Sequence, residues 1–484
     1  MLYYDAVVIG GGLLGCFTAR NLRRYDVSVA LLEAREDVCT GVSRANTAVV
    51  YGGQDNKPGT RKAGACRRAN ETFGELCETL GVRFSRCGSL MVCFGEGGLR
   101  KLRRGLERGT ANGVAGLRLI SGHEARALEP GLNPAVHAAL YAENTGTVDP
   151  WELCLAAAEN ACLNGAEFRL REAVLHIERG DGFFSVFTEK EEYRCRFLVN
   201  CAGLGAEKIN AMLGFRDILL APTRADYMVL GEKHGRDIGR VIFYEPEEKG
   251  RGITAVPTVD GNLMLGPSEI SRGGAPAFET TADGLRFIRE QAALLLPGTD
   301  TCDAVRVFSA ARPNPRYASD TAGNVRSIDD FPIFTPESAP GYVSFCGIKT
   351  PGMTCADYLG AFAAGRCRDL LGVRENTAFD PVRPRPPAMS ELRDAEAGAL
   401  IAADPRWGRI VCTCKQVSEA EILRAIHAAP PCTTVDGVKR RTGCCLGTCQ
   451  GSRCTEKIVG LLSRELGVPV SEIAKDGDGS WIIR

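Results

Sequence analysis

The stretch from Asp5 to Glu33 constrains this chain more than any other. Asp5 to Ile9 is a short apolar run suited to a buried parallel strand. Gly10, Gly12 and Gly15 follow at once, then a helical stretch from Leu13 to about Tyr25, then a second strand from Val27 to Leu32 that ends on Glu33. Each glycine has a reason. Gly10 allows a tight turn after the strand, Gly12 lets the backbone approach a pyrophosphate, and Gly15 lets the helix pack close to the sheet. The helix N-terminus presents unpaired N–H groups to phosphate, and Glu33 stands where an acid accepts hydrogen bonds from a ribose hydroxyl. Strand, glycines, helix, strand and acid in this order predict a dinucleotide site; the competing reading is a structural glycine-rich turn. The acid suits the ribose of FAD or NAD alike, and there is no second GxGxxG downstream.

The chain has 484 residues, 44% hydrophobic and 24% charged, which predicts two to four globular units at roughly 100–200 residues each. Lys plus Arg and Asp plus Glu both number 59, so no net field points to nucleic acid or anionic lipid. No apolar run approaches the ~20 residues that cross a bilayer. The start, MLYYDAVVIGGG, lacks a basic n-region and a cleavage site. The expectation is a cytoplasmic protein, at most peripheral to a membrane through a partner. The 21 cysteines then read as reduced thiols. Singly placed ones such as Cys16, Cys77, Cys154 and Cys162 are expected as buried fillers. A second glycine-ended strand, Phe197 to Gly205, returns the chain to the nucleotide-binding sheet. The main body ends near Phe379. Pro381, Pro384, Pro386 and Pro387 then crowd one stretch, which reads as a stiff linker.

Several segments together resemble the D-amino-acid-oxidase-like superfamily of FAD oxidoreductases. They are Gly10–Gly15, Glu33, GVSRANTAVVYGG (Gly41 to Gly53), FLVNCAGLGA with Gly203, and GIKTPGMT (Gly347 to Thr354). With RCGSLMV, VPTVDGNLMLGPSE and the Cys-rich tail, the similarity narrows to the anaerobic glycerol-3-phosphate dehydrogenase large-subunit type and relatives such as 2-hydroxyglutarate oxidases. The resemblance implies an α/β fold: a Rossmann-like FAD domain (about 1–85, 145–215 and 325–380) with an interleaved α+β substrate domain (about 86–144 and 216–324). It implies flavin contacts at Ser43, Asn46, Gly347, Gly352, Met353 and Thr354. Backbone N–H groups of the GIKTPGMT turn would stabilise charge on the reduced flavin.

The chain also departs from its relatives. Tyr51 and Asp260 stand where relatives often carry His, and Lys349 where they often carry an acid or Ser. Loss of the first His points to non-covalent FAD. Arg312, in VFSAARPNP, matches the family's arginine beside the flavin and would grip a carboxylate or phosphate as a fork; the alternative is a structural ion pair. Lys349 would stabilise reduced-flavin charge or touch the substrate, or is simply a paired lysine. Tyr51, Asp260 and Tyr244 remain as base candidates, because His123, His137, His176, His234 and His427 sit in no matched motif. Arg224 and Arg316 beside Arg312 would favour phosphate over a single carboxylate.

Past a 381–408 linker, residues 409–468 form a module of roughly 60 residues, too small to be stable on its core alone, followed by a 469–484 tail. Cys412 and Cys414 lie in a strand-like run that puts i and i+2 on one face. Ser418 and Glu421 form a capping box opening a helix to about Ala428. Cys449 and Cys454 follow in GTCQGSRC, with Cys454 opening a second helix. This C-x-C and C-x4-C pattern, with VDGVKRRTG, resembles the bacterioferritin-associated-ferredoxin-like [2Fe–2S] domain, with Cys412, Cys414, Cys449 and Cys454 as ligands. A four-cysteine zinc site is the competitor, although zinc prefers C-x2–4-C pairs. Cys444 and Cys445 are expected to pack near the cluster without binding it.

The combined expectation is an FAD-dependent dehydrogenase of a small anionic alcohol, glycerol 3-phosphate leading. Its electrons would pass through the cluster to a partner flavoprotein or iron–sulfur subunit. A 2-hydroxy acid or an amino or imino acid is the alternative substrate. A non-catalytic electron-transfer subunit is the alternative of another class.

Overall fold

The computed structural model describes residues 1–244, 252–270, 279–318, 326–477 and 479–483, with the side chains of 269 and 270 left aside. Strand Leu2–Ile9 pairs in parallel with Val29–Glu33 on one side and Glu192–Asn200 on the other. Glu167–Leu170 and Tyr342–Phe345 extend the parallel sheet outward. Strands His176–Arg179, Phe184–Phe187 and Ile333–Phe334 add antiparallel edges. Ala6, Val7 and Val8 are each 0% exposed, as a strand must be when helices or loops cover both faces of its sheet. Helices Leu13–Leu22, Pro150–Leu163 and Ala356–Leu371 pack together against it. Gly360 permits the close crossing, since a Cβ there would meet the Phe17 backbone at 2.8 Å.

The second eight-stranded sheet runs, in spatial order, 304–312, 223–230, 263–270, 254–257, 241–244, 89–93, 138–142 and 117–121. All its pairings are antiparallel except 241–244 with 89–93. Helix Ala282–Leu295 covers one face with Ile288, Ala292 and Leu295. Short ladders, 49–50 with 146–148 and 218–220 with 315–317, tie the strand crossovers between the sheets.

The proline-rich segment is pinned along helix Pro150–Leu163. Asn160 Nδ2 donates to the Asp380 and Val382 carbonyls at 3.1 and 3.2 Å, and Arg383 Nη2 meets Glu159 at 2.7 Å. Helix Asp394–Ala403 then leads to a module built from hairpin Ile410–Cys412/Val417–Ser418 and helices Glu419–Ile426, Val435–Thr442 and Thr455–Leu466. Its core is Val411, Ile422, Ile426, Val435, Val438, Ile458 and Leu462.

Four local expectations change. The first helix ends at Leu22 rather than near Tyr25, because Arg24 and Tyr25 turn back with i→i+3 bonds to Asn21 and Leu22. The next strand starts at Val29, since Ser28 is taken by the Asp5 carboxylate at 2.8 Å. Cys414 is not on a strand: the hairpin turns at 413–416, with Gln416 at φ 52. Cys162 is only half-buried, unlike Cys16, Cys77 and Cys154.

Candidate active site and cluster site

The glycine loop is closed by side chains brought from later in the chain. Glu33 accepts the Gly11 N–H at 2.6 Å and the Arg35 N–H at 2.9 Å. Burial pushes its carboxyl up, while those two N–H groups oppose the shift. Ser43 Oγ accepts the Leu13 N–H at 2.9 Å, capping the first turn of the glycine-loop helix. Asn46 braces the same segment, donating to the Ser43 carbonyl at 2.9 Å and accepting the Ala48 N–H at 2.8 Å. Gly203, at φ +56, begins the turn after strand Glu192–Asn200, beside the Cys201 backbone that packs on Gly10. Gly15 admits no side chain at all: a Cβ there would run into the Gly10 carbonyl oxygen. These groups fit a dinucleotide, because only a bare backbone lets pyrophosphate oxygens reach the loop. Gly15→Ala is therefore expected to give protein with no retained flavin, checked by the absorbance of the purified chain.

The GIKTPGMT turn meets the same segment. Thr354 is 2% exposed, and its Oγ1 accepts the Tyr51 N–H at 3.1 Å. Met353 packs on the core below, and Gly347 lies against Pro315, at φ +91. Lys349 Nζ donates to Asn314 Oδ1 at 3.1 Å. Asn314 in turn donates to Thr223 Oγ1 at 2.8 Å and, through its N–H, to the Arg312 carbonyl at 3.0 Å. Arg312 ends strand Ala304–Arg312 opposite Thr223. Its charge is felt at the Tyr51 hydroxyl, which also lies 3.5 Å from Thr47 Oγ1. Burial raises the Tyr51 phenol, so it stays protonated at neutral pH despite Thr47 and Arg312.

Tyr51 thus lies within electrostatic reach of Arg312, and Lys349 is tied through Asn314 to the backbone at Arg312. Asn314 is the residue sequence reasoning missed; its place two residues after Arg312 in the ARPNP turn was the available signal. Asp260 is engaged elsewhere, with Arg83 at 2.7 Å. Arg83 also holds Asp149 and Glu152, and burial plus these neighbouring carboxylates pushes Asp149 up to about 7. Arg224 stands opposite Ala311, one residue out of phase with Arg312, so strand alternation sends it to the other face, where Asp226 lies 3.8 Å away. Tyr244 packs edge-on against Phe94 at 5.4 Å. His137, His176, His234 and His427 each pair with a carboxylate, Glu96, Glu178, Asp303 and Glu465 respectively.

In the C-terminal module Cys414 contacts Cys449, and Cys412 contacts both Cys444 and Cys454. Gly447 permits this, since a Cβ there would overlap that of Cys414. The Cys444 thiol donates to Cys412, joined by the Lys415 and Cys445 N–H groups, and together they bring Cys412 down to about 5 against burial. The Arg453 and Gly451 N–H groups do the same in direction for Cys449. Cys445 Sγ lies 3.6 Å from Cys454 Sγ. Such donors suit thiolates carrying the charge of an iron–sulfur cluster. Among the described residues, no three His, Cys, Asp or Glu side chains converge as a site for one metal ion. Among the described residues no helix is long and apolar enough to cross a membrane.

The family described as FAD dependent oxidoreductase matches residues 5–366, and the BFD-like [2Fe-2S] binding domain matches residues 410–464. A glycerol 3-phosphate dehydrogenase of Caloramator mitchellensis is 35% identical over 481 residues, covering 99% of this chain and 98% of that one. Human mitochondrial L-2-hydroxyglutarate dehydrogenase is 29% identical over 299 residues, 58% of this chain and 64% of its own. Among solved structures, the FAD-bound, dithionite-reduced L-alpha-glycerophosphate oxidase of Mycoplasma pneumoniae superposes with a TM-score of 0.71 at 24% identity, covering 80% of this chain and all of that one. The FAD complex of Bacillus halodurans glycerol-3-phosphate dehydrogenase covers 96% of this chain and 91% of its own, with a TM-score of 0.66 at 16% identity. With a match that spans most of its main body and a second over its cysteine-rich end, the chain belongs to the FAD dependent oxidoreductase family and carries a BFD-like [2Fe–2S]-binding domain.

Proposed function

We propose that this flavoenzyme oxidises the secondary alcohol of glycerol 3-phosphate and passes the electrons through its [2Fe–2S] domain to a separate protein acceptor. The observation that carries the reading is that two cationic residues are tied to one neighbour, Asn314. Asn314 joins Lys349 of the GIKTPGMT turn to the end of the strand that bears Arg312. Two fixed positive charges suit a phosphate dianion better than a single carboxylate. When bound, FAD supplies the two-electron acceptor and the [2Fe–2S] cluster a one-electron outlet. Arg312 and Lys349 hold the substrate anion. Tyr51, a neutral phenol, donates a hydrogen bond rather than acting as base, and of the other base candidates from the sequence Asp260 is engaged by Arg83 and Tyr244 packs on Phe94. Ser43, Asn46 and Thr354 hold the segment along which the flavin lies. The 35% identity to a glycerol 3-phosphate dehydrogenase over nearly the whole chain supports the same substrate. The similarity to L-2-hydroxyglutarate dehydrogenases keeps a 2-hydroxy acid as the second reading.

The test is anaerobic bleaching of the flavin absorbance with glycerol 3-phosphate, 2-hydroxyglutarate, lactate and proline. Glycerol 3-phosphate is expected to bleach it fastest. Bleaching by 2-hydroxyglutarate alone would transfer the proposal to a dicarboxylate.

A further inference from the structure

One cluster of buried charges lies outside both cofactor sites and belongs to neither chemistry. Asp37 is 0% exposed and sits in the loop that follows Glu33. Its carboxylate takes Arg440 Nη2 at 2.8 Å and two nitrogens of Arg441 at 2.8 and 2.9 Å, both arginines coming from helix Val435–Thr442 of the cluster module. Arg440 continues to Asp476 at 2.9 Å, and Asp476 also holds Arg44, the neighbour of Ser43. Trp151 fastens the same place: its Nε1 donates to the Arg44 carbonyl at 2.9 Å, and Lys439 lies over its ring at 5.8 Å.

Burying such a network is poor value as pure stabilisation, because desolvation of the charges offsets their attraction. It does fix register, since only one docked orientation sets both guanidiniums on one carboxylate. The segment it grips is the one that closes the glycine loop. Just before it Glu33 holds the Gly11 N–H at 2.6 Å, and within it the Cys39 N–H donates to the Gly11 carbonyl at 2.9 Å and Ser43 caps Leu13 at 2.9 Å. We propose that Asp37 is a positioning residue that couples docking of the [2Fe–2S]-binding module to FAD binding: the seated module holds segment 37–44 in the form that closes over the dinucleotide. This rests on the FAD and cluster assignment and not on the identity of the substrate.

The coupling is reciprocal, so it has two independent arms. In full-length holoprotein, Asp37→Asn is expected to weaken FAD binding by about tenfold or more, read from flavin fluorescence on dilution, and to speed protease cleavage within 381–408 while iron content stays unchanged. Asp37→Glu, which keeps the charge, recovers part of both. In the unaltered protein, stripping FAD is expected to speed the same cleavage, and adding FAD back restores protection. Faster cleavage in Asp37→Asn with unaltered FAD affinity overturns the coupling, as does unaltered protection in FAD-stripped protein. The second arm decides the matter even where Asp37→Asn does not accumulate. Neither readout uses substrate, so failure here is distinct from failure of the glycerol 3-phosphate reading.

Discussion

Replacing Arg312 with Met should lower kcat/KM for glycerol 3-phosphate by about 100- to 1000-fold while leaving FAD bound and reducible by dithionite. A charge-assisted fork to an anion accounts for about 3–4 kcal/mol, at about 1.4 kcal/mol per tenfold. The position supports that magnitude. Arg312 stands at the end of a strand that is locked to Thr223 by pairing, and its neighbour Asn314 holds Lys349 at 3.1 Å. The side chain therefore starts from a fixed backbone, and little of its interaction is spent on ordering the loop. Arg312→Lys should recover part of the loss, because charge remains and the planar fork does not. Steady-state kinetics with glycerol 3-phosphate and with plain glycerol separate the cases. A loss confined to the phosphate ester supports anion binding by Arg312. An equal fractional loss for glycerol would assign the residue a structural part and remove the main support for the proposed substrate.

The second large effect is expected at the cysteines. Cys412→Ser, Cys414→Ser, Cys449→Ser and Cys454→Ser should each abolish the iron content and visible signature of the cluster, and should loosen the C-terminal module. Cluster binding free energy is folding free energy in a unit with so small a core. Cys444→Ser should retain iron. Its thiol is a donor to Cys412 and the hydroxyl keeps that bond, with the Lys415 and Cys445 N–H groups in support. Iron analysis and protease resistance of the module check both statements. Retention of full iron by Cys454→Ser would point to Cys445, 3.6 Å from it, as the ligand in its place.

Much of the molecule was legible from local patterns. The glycine loop and Glu33 announce a dinucleotide fold, because the geometry that a pyrophosphate demands can be met by few residues other than glycine at Gly15. The capping box of Ser418 and Glu421 stands as expected, with the Glu421 N–H donating to Ser418 Oγ at 3.3 Å, since both partners lie within one helical turn. Strand Glu192–Asn200 joins the first strand in parallel as its apolar run and terminal glycines suggested. Where competing local bonds were available the pattern misled. The first helix stops at Leu22 and Cys414 leaves the strand, because turn hydrogen bonds at Arg24 and the hairpin at 413–416 satisfy the backbone better than continuation.

The sequence by itself determined the kind of cofactors, since motif glycines and paired cysteines encode short-range backbone requirements that hold wherever the segment sits. It determined the presence of Arg312 and Lys349, and not their company. That Arg224 faces away from Arg312 depends on strand pairing across 223–230 and 304–312, and that Lys349 reaches Asn314 depends on how the two sheets meet. The joining of Asp37 to Arg440 and Arg441 spans some four hundred residues of chain. Contacts of that kind are selected by the packing of whole elements, where burial forces charges to find partners, and no local periodicity carries them.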